Sequence, residues 1–442
     1  MFSAQELLRQ LLPCTDAPTW WLGLSGGMDS MVLLDALTEL RASHSLPPLK
    51  ALHVHHGLHA DADLWVKHCE QECRQRGVEL IVERVQLPPG ASIEAQARDA
   101  RYQAFARHMG SRDCLLLAHH QDDQLETLLF RLLRGTGLRG LAGMPQTRQL
   151  ASGYLFRPLL HWNRLQLLAW AESRQLRWIE DPANQDPRFA RTLFRHKVLP
   201  ELRQRWPAAP DNLLQLAEHA VEANHILDER AAEDLALACQ PVPDPWLSAW
   251  PSLDAAMLQA LSIPRQNNLL RYWLHLHQRP LPPRRQLQAF VQQLSGGENG
   301  QPEMRLAGYR LSRSSGRIWL LPEVIGPTLL EQALPAWADT DLAGDNGRLL
   351  IRPGQTGIRW CAGDWRVGYR RGGEQIKLPG RPTQPLKDLL QQARIPPWLR
   401  ARVPLLYCDE QLVSVAGRWN AEAAVASGDE AAFQVTWMPL TD

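Results

Sequence analysis

No stretch of eighteen uninterrupted apolar residues occurs in this chain, which excludes an ordinary membrane-spanning helix. The first twenty residues also lack the charged start, apolar centre and small-residue cleavage site of a secretory leader. A cytoplasmic protein with no membrane partner is the expectation. Cysteine is sparse: seven residues, an odd number spread along the sequence, argue against a disulfide framework. The one close pair, Cys69 and Cys73 in CEQEC, is spaced more loosely than a redox or zinc CxxC and reads as two buried thiols. Lysine is scarcer still, supplying only five of the 48 basic residues. The rest are arginine, whose planar fork suits paired phosphate contacts, although an arginine-rich genome would leave the same bias.

What is present suffices for several cores. At 442 residues, 45% of them apolar, the chain is too long for one ordinary domain and is expected to form two or three. A formal net charge of +1 conceals an uneven distribution. Between Arg131 and Trp206 stand 14 Arg and Lys against 5 acids, between Pro207 and Ala260 9 acids against 1 arginine, and between Trp365 and Arg402 9 basic residues against 2 acids. Two basic zones flank an acidic one, a pattern open both to nucleic-acid contact and to plain solvated faces.

The first third alternates between two periodicities. TWWLGLS, LKALHVHH, VELIVERVQL and CLLLAHH read as strands, followed in turn by the helices SMVLLDALTEL, ADADLWVKHCEQECRQRG, ASIEAQARDARYQAFARHMG and QDDQLETLLFRLLRG. This predicts an α/β fold with a doubly wound, mostly parallel sheet, whose ligands bind beyond the carboxyl ends of the strands. In the fourth helix Leu125, Leu128, Leu129, Leu132 and Leu133 read as the buried stripe. From about Asp211 leucine and alanine recur at helical spacing, so a helical second domain is expected there. Beyond the glycine-rich LSGGENGQPE, runs such as YRLSRSSGRIWLL and RLLIRPG point to a small mixed α+β domain at the end. The expected division is residues 1–208, 209–330 and 345–442.

Two motifs carry chemistry. SGGMDS follows the first strand and opens a helix, where unpaired N–H groups and the dipole favour an anion. Gly26 and Gly27 let the backbone fold round a phosphate, Ser25 and Ser30 add hydroxyls, and Asp29 beside phosphates calls for a cation such as Mg²⁺. The loop is not a Walker A motif, because no Gly-Lys-Ser/Thr ends it. Gly23 to Gly27 also fits G-x-S-x-G, but a nucleophile elbow normally comes well into the sheet and behind an oxyanion-hole loop. A purely structural turn would leave Asp29 unexplained. The second motif, AHHQDDQLET, places His119, His120, Asp122 and Asp123 at the same sheet edge. Glu126 lies three and four residues on, so the carboxylates can converge on one cation. Dipole stabilisation by first-turn acids, or a metal site shared with HVHHGLH, are the other readings.

SGGMDS resembles the SGGxDS loop of the N-type ATP pyrophosphatases, the PP-loop family, which release pyrophosphate while transferring AMP to a substrate carbonyl. Within that family, AHHQDDQLET, HVHHGLHADADLWVKHC, EAQARDARYQAF, LRGTGLRGLAGM, WIEDPANQDPRFARTLFRHKVLP and LKDLLQQARIPPWLRARVPLLYCDEQLVSVAG resemble the tRNA(Ile)-lysidine synthetases. They cover most of residues 20–205 and about 365–418. The chain departs from the family's pattern at Arg191-Thr192, where Arg-Asn is usual. The tRNA thiolases share the glycine loop but rely on reactive cysteines, and a non-catalytic tRNA-binding protein would need both signatures to be relics.

The resemblance implies an ATP-dependent ligase joining L-lysine to C2 of the wobble cytidine of an isoleucine tRNA, through an adenylated cytidine. Ser25, Gly26, Gly27, Met28, Asp29 and Ser30 would then hold ATP, with Asp29 on Mg²⁺, while Asp122, Asp123 and Glu126 bind lysine or take its proton. Arg98, Arg101, Arg191 and Arg195 become candidates for phosphates of ATP or tRNA. The basic zone from Arg131 is expected near the anticodon loop, with Arg394, Arg400 and Arg402 gripping another part of the tRNA. The oligomeric state stays open, a homodimer included.

Overall fold

Apolar side chains alternate across the first and fourth strands, and that alternation builds the leading sheet. Trp20, Leu22, Cys114 and Leu116 enter one buried cluster, while Trp21, Leu115 and Leu117 enter another on the opposite face. Both indoles are satisfied: Trp20 Nε1 donates to Cys14 O (2.8 Å) and Trp21 Nε1 to Asp113 Oδ2 (2.9 Å). The computed structural model describes residues 2–439 except positions 58, 60, 87–92, 183–189, 295, 297–299, 324–329, 335–337, 361 and 428–429. Parts of HVHHGLHADADLWVKHC, WIEDPANQDPRFARTLFRHKVLP and LSGGENGQPE therefore lie outside the described residues.

Two compact units divide the chain, Met1–His225 and Ile226–Asp442. The first contains α1 (Ala4–Leu11), β1 (Trp20–Gly23), α2 (Met28–Ser43), β2 (Leu49–His55), α3 (Ala62–Gln75), β3 (Glu79–Arg84), α4 (Ile93–His108), β4 (Cys114–Leu116) and α5 (Gln121–Leu133). Then come α6 (Leu138–Leu141), β5 (Thr147–Leu150), β6 (Gly153–Phe156), α7 (Arg164–Ser173), α8 (Ala190–Leu193), α9 (Leu199–Arg205) and the start of α10 (Ala209–Ala238). The expected strands and helices of the first third are all present. The sheet runs β3-β2-β1-β4-β6-β5, parallel except for β5. The loops after β1 and β4 thus face each other where the strand order reverses, the crevice in which doubly wound sheets bind ligands.

Two local expectations need correction. Leu125 and Leu128 are buried, but Leu132 and Leu133, in the last turn of α5, are 48% and 73% exposed. The hairpin of β5 and β6 carries no sequence signal: TRQL is almost wholly exposed, and four-residue strands show too little period to read.

The second unit continues the helical region with Ala255–Gln259, Ile263–Leu276 and Arg284–Leu294. Their apolar faces pack on a four-stranded antiparallel sheet that joins Ser252–Asp254 to the hairpin Tyr309–Leu321 and to Glu303–Leu306. The C-terminal part holds a five-stranded and a four-stranded antiparallel sheet with the helices Leu386–Gln392 and Pro397–Arg400. Its core is rich in indoles, with Trp246 edge-on to Trp437 (5.6 Å) and Trp419 (5.9 Å).

Arg402, expected to grip tRNA, is instead 7% exposed. Its Nε donates to Asn346 Oδ1 (2.8 Å) and a terminal nitrogen to Asp345 O (3.0 Å), while Asn346 Nδ2 donates back to Arg402 O (2.7 Å). Arg400 donates to Ile395 O (2.7 Å), and of the three residues only Arg394 is exposed. Arg402→Ala should therefore cost about 3 kcal/mol of stability by leaving buried acceptors unmet, whereas Arg394→Ala should stay within about 0.5 kcal/mol. Urea unfolding of the two variants checks this.

Candidate active site

The glycine loop is shaped by close contacts. Gly26 sits at φ +83° with its carbonyl accepting from Ile179 N–H (2.9 Å), and a Cβ there would lie 2.5 Å from Ile179 Cδ1 and 3.1 Å from Cys69 Sγ. Only glycine fits. Ser30 Oγ donates to Gly27 O (2.9 Å), and Ser25 Oγ, 3.1 Å from Ser30 Oγ, accepts the Gly27 N–H (3.3 Å). This pins the loop's mouth at the start of α2. Met28 turns its side chain into the core, so only its backbone can serve the loop. Asp29 is partly exposed, yet its Oδ1 is buried without a hydrogen-bond partner.

The loop after β4 meets it through one side chain. His120 is fully buried and caps α5: its Nδ1 accepts the Asp122 N–H (3.2 Å), and Asp123 Oδ2 accepts the His120 N–H (3.0 Å). That arrangement leaves a proton on Nε2, 3.5 Å from both Asp29 Oδ2 and Asp123 Oδ2. When the ring takes a second proton, Nδ1 becomes a donor with Asp122 Oδ2 3.7 Å away. Burial lowers the His120 pKa, but Asp123, Asp29 and Asp122 outweigh it and raise it to about 9. Its neighbour His119 goes the other way. Burial, with Arg157, Arg191 and Arg98 nearby, lowers His119 to about 3, and its Nδ1 accepts from Arg157 Nε (3.2 Å).

The three carboxylates do not converge on an empty space. Asp123 Oδ1 and Glu126 Oε1 both hold Arg195, at 3.0 and 2.6 Å. Asp122 turns aside to Arg203 and to the Arg164 N–H (2.7 Å) at the start of α7. The sequence brings Arg195 in through a π-helical turn, Phe194–Val198, which interrupts the path from α8 to α9. Arg195, expected on a phosphate, is thus a partner of acids in this structure, and no sequence signal identifies that pairing or the one made by Arg203.

Charge follows from these contacts. Burial pushes the Asp122 and Asp123 carboxyls up, but Arg203 with the Arg164 N–H holds the first below its usual range, and His120 and Arg195 hold the second. Glu126 stays above its usual range, because burial and Asp123 together exceed the pull of Arg195. Among the described residues no three His, Cys, Asp or Glu are grouped to hold a metal ion, so the histidine-rich metal reading finds no site there.

The basic zone is only partly outward. Arg131 donates to Gly140 O (3.1 Å) and Gly143 O (2.6 Å), and buried Arg157 donates to Pro145 O (2.6 Å), fixing the LRGTGLRGLAGM segment beside α5. Gln124 ties the same segment through Met144, in both directions. Arg98 lies over the Tyr102 ring at 5.3 Å.

Comparison with known proteins agrees along the whole chain. A PP-loop domain matches residues 2–202, a TilS substrate binding domain residues 253–319 and a TilS substrate C-terminal domain residues 365–437. A tRNA(Ile)-lysidine synthase of Pseudomonas putida is 48% identical over 92% of this chain and 94% of its own length. That of Pseudomonas aeruginosa is 44% identical over 99% and 97%, and that of Escherichia coli O157:H7 39% identical over 92% and 94%.

The His120 environment predicts a pH signature. Its pKa is raised from 6.5 to about 9, so its stabilisation is fully present below pH 6.5 and is lost as pH rises through 9. A shift of that size corresponds to about 3 kcal/mol. Denaturant unfolding in chelator across this range should show wild type losing that stability while His120→Gln stays flat. Parallel curves would contradict the assignment.

Proposed function

Because this chain belongs to the tRNA(Ile)-lysidine synthase family, we propose that its glycine loop and carboxylate cluster perform the two half-reactions of lysidine formation on an isoleucine tRNA. The chain is an ATP-using enzyme, and the observation that carries the reading of its site is His120, which joins Asp29 of the phosphate loop to Asp123 of the carboxylate helix within 3.5 Å. One crevice thus serves both steps.

In the first step the wobble cytidine's C2 oxygen attacks the α-phosphorus of ATP, the bond to the β-phosphate breaks, and pyrophosphate leaves. Ser25, Gly26, Gly27, Ser30 and the Met28 and Asp29 backbone hold the phosphates at the start of α2. The orphaned, buried Asp29 Oδ1 fits Mg²⁺ and would hold it, and the cation would neutralise charge on the leaving pyrophosphate. In the second step the ε-amine of L-lysine attacks C2, the C2–O bond breaks, and AMP departs. An adenylated oxygen leaves far more readily than a bare one, which is why activation comes first.

Asp122 and Asp123, held ionised, attract the lysine ammonium, and Glu126, whose raised pKa makes it the best base of the three, takes its proton. The Arg195 guanidinium occupies Asp123 and Glu126 until a substrate cation competes for them. The thiolase alternative meets an obstacle in its sulfur: Cys69 and Cys73 are buried, and burial pushes their pKa up to about 12 and about 11. Residues 1–208 are assigned to catalysis, 209–330 and 345–442 to tRNA contact, in a cytoplasmic enzyme.

Incubation with ATP, labelled lysine and unmodified isoleucine tRNA should place label in the tRNA. Asp29→Asn should lower kcat/KM at least about a hundredfold without weakening tRNA binding. Glu126→Gln should spare pyrophosphate release but slow lysine transfer by about 10²–10⁴, and equal loss in both steps would remove Glu126 from its role.

A further inference from the structure

Two adjacent histidines follow the fourth strand, and the reaction above uses only the second. Leu115 and Leu117 pack into the cluster that holds Phe105 of α4, while Leu116 enters the cluster that holds Met31 of α2. The contacts of the histidines continue that alternation. His120 reaches Asp29 at the start of α2, whereas His119 meets Arg157 beside Tyr102 of α4.

The His119 ring is held in one tautomer. Arg157 is 2% exposed and fixed, with one terminal nitrogen donating to Pro145 O (2.6 Å) and the guanidinium bonded to the Tyr102 side chain. Its Nε donates to His119 Nδ1 (3.2 Å), so Nδ1 carries no proton, the ring is neutral and its one proton sits on Nε2. Nε2 has no hydrogen-bond partner among the described residues and is not enclosed. A neutral N–H donor is thus held open beside Asp123, Arg98 and Arg191, one residue from the bridge to the phosphate loop.

Chemistry narrows what that donor meets. Phosphate oxygens are better matched by the charged Arg98 and Arg191, which leaves the neutral donor for a neutral acceptor. The wobble base brings its C2 oxygen to the α-phosphate, and N3 is the next atom of its ring. In cytosine N3 is an acceptor, whereas in uracil it carries a hydrogen. We propose that His119 selects the wobble base: its Nε2–H donates to N3 of cytosine and opposes the N3–H that uracil presents in the same place. The inference rests on the lysidine-forming reading above. No bond to His119 forms or breaks, and Arg157 acts through it as a positioning residue.

The test measures kcat/KM for pyrophosphate release by the full-length protein on three isoleucine tRNA transcripts, with cytidine, uridine or 3-deazacytidine at the wobble position. Wild type should lose about 10- to 100-fold on 3-deazacytidine, which has C–H in place of N3, an arm that needs no variant. His119→Asn keeps an oxygen for Arg157 but places no atom at Nε2. It should unfold like wild type in urea, lose about 10- to 100-fold on cytidine, lose less than about threefold more on 3-deazacytidine, and narrow the preference for cytidine over uridine by at least about tenfold. His119→Gln, whose amide nitrogen reaches the Nε2 position, should return to within about tenfold of wild type. Equal rates of wild type on cytidine and 3-deazacytidine overturn the proposal. So does a His119→Asn variant that matches wild type, which leaves the ring only holding Arg157, or one that loses equally on all three transcripts, which gives the donor to a phosphate. Absence of lysidine from the cytidine transcript with wild type sinks the functional reading itself, a separate outcome.

Discussion

A single buried imidazole holds the two halves of the crevice together. His120 has no solvent to share its charge with, yet Asp29 and Asp123 each lie 3.5 Å from its Nε2. Removing it would leave Asp29 and Asp123 facing each other, with Arg195 at 3.0 Å from Asp123 Oδ1 to offset their repulsion. Its backbone N–H, accepted by Asp123 Oδ2, holds the start of α5 whatever the charge on the ring, so the same residue fixes where the helix begins. Loop, helix start and charge balance are one constraint.

Around that hub the protein supplies its own counter-ions. Arg195 and Arg203 neutralise the carboxylates of α5, and Arg131 and Arg157 brace the neighbouring segment through backbone carbonyls. An excess of arginine along a stretch of sequence therefore overstates the field it presents to a nucleic acid. Arg402 makes the same point in the second unit, since its charge is enclosed by Asn346 and the Asp345 carbonyl. Arg381, Lys387 and Arg394 are among the residues left outward.

Much of the fold was legible because parallel sheets buried on both faces write themselves as short apolar runs between amphipathic helices. Once β1 and β4 are adjacent, the loops behind them must meet, and the juxtaposition of SGGMDS with AHHQDDQLET follows from strand order alone. What stayed hidden depends on contacts between distant positions. The grip of Arg195 on Glu126 spans 69 residues and a π-helical turn, and nothing in RTLFRHK announces either. The exposure of Leu132 and Leu133 and the hairpin Thr147–Phe156 were missed for a related reason: periodicity cannot tell where a partner surface ends.

The claim on which everything turns is that AMP is transferred to the tRNA base, not to lysine, before the amine arrives. Single-turnover reaction with α-phosphate-labelled ATP and isoleucine tRNA, lysine withheld, tests it directly. The account predicts stoichiometric pyrophosphate release with label retained on the wobble cytidine, chased off as AMP when lysine is added. Label that never joins the tRNA, or pyrophosphate released only once lysine is present, would contradict it.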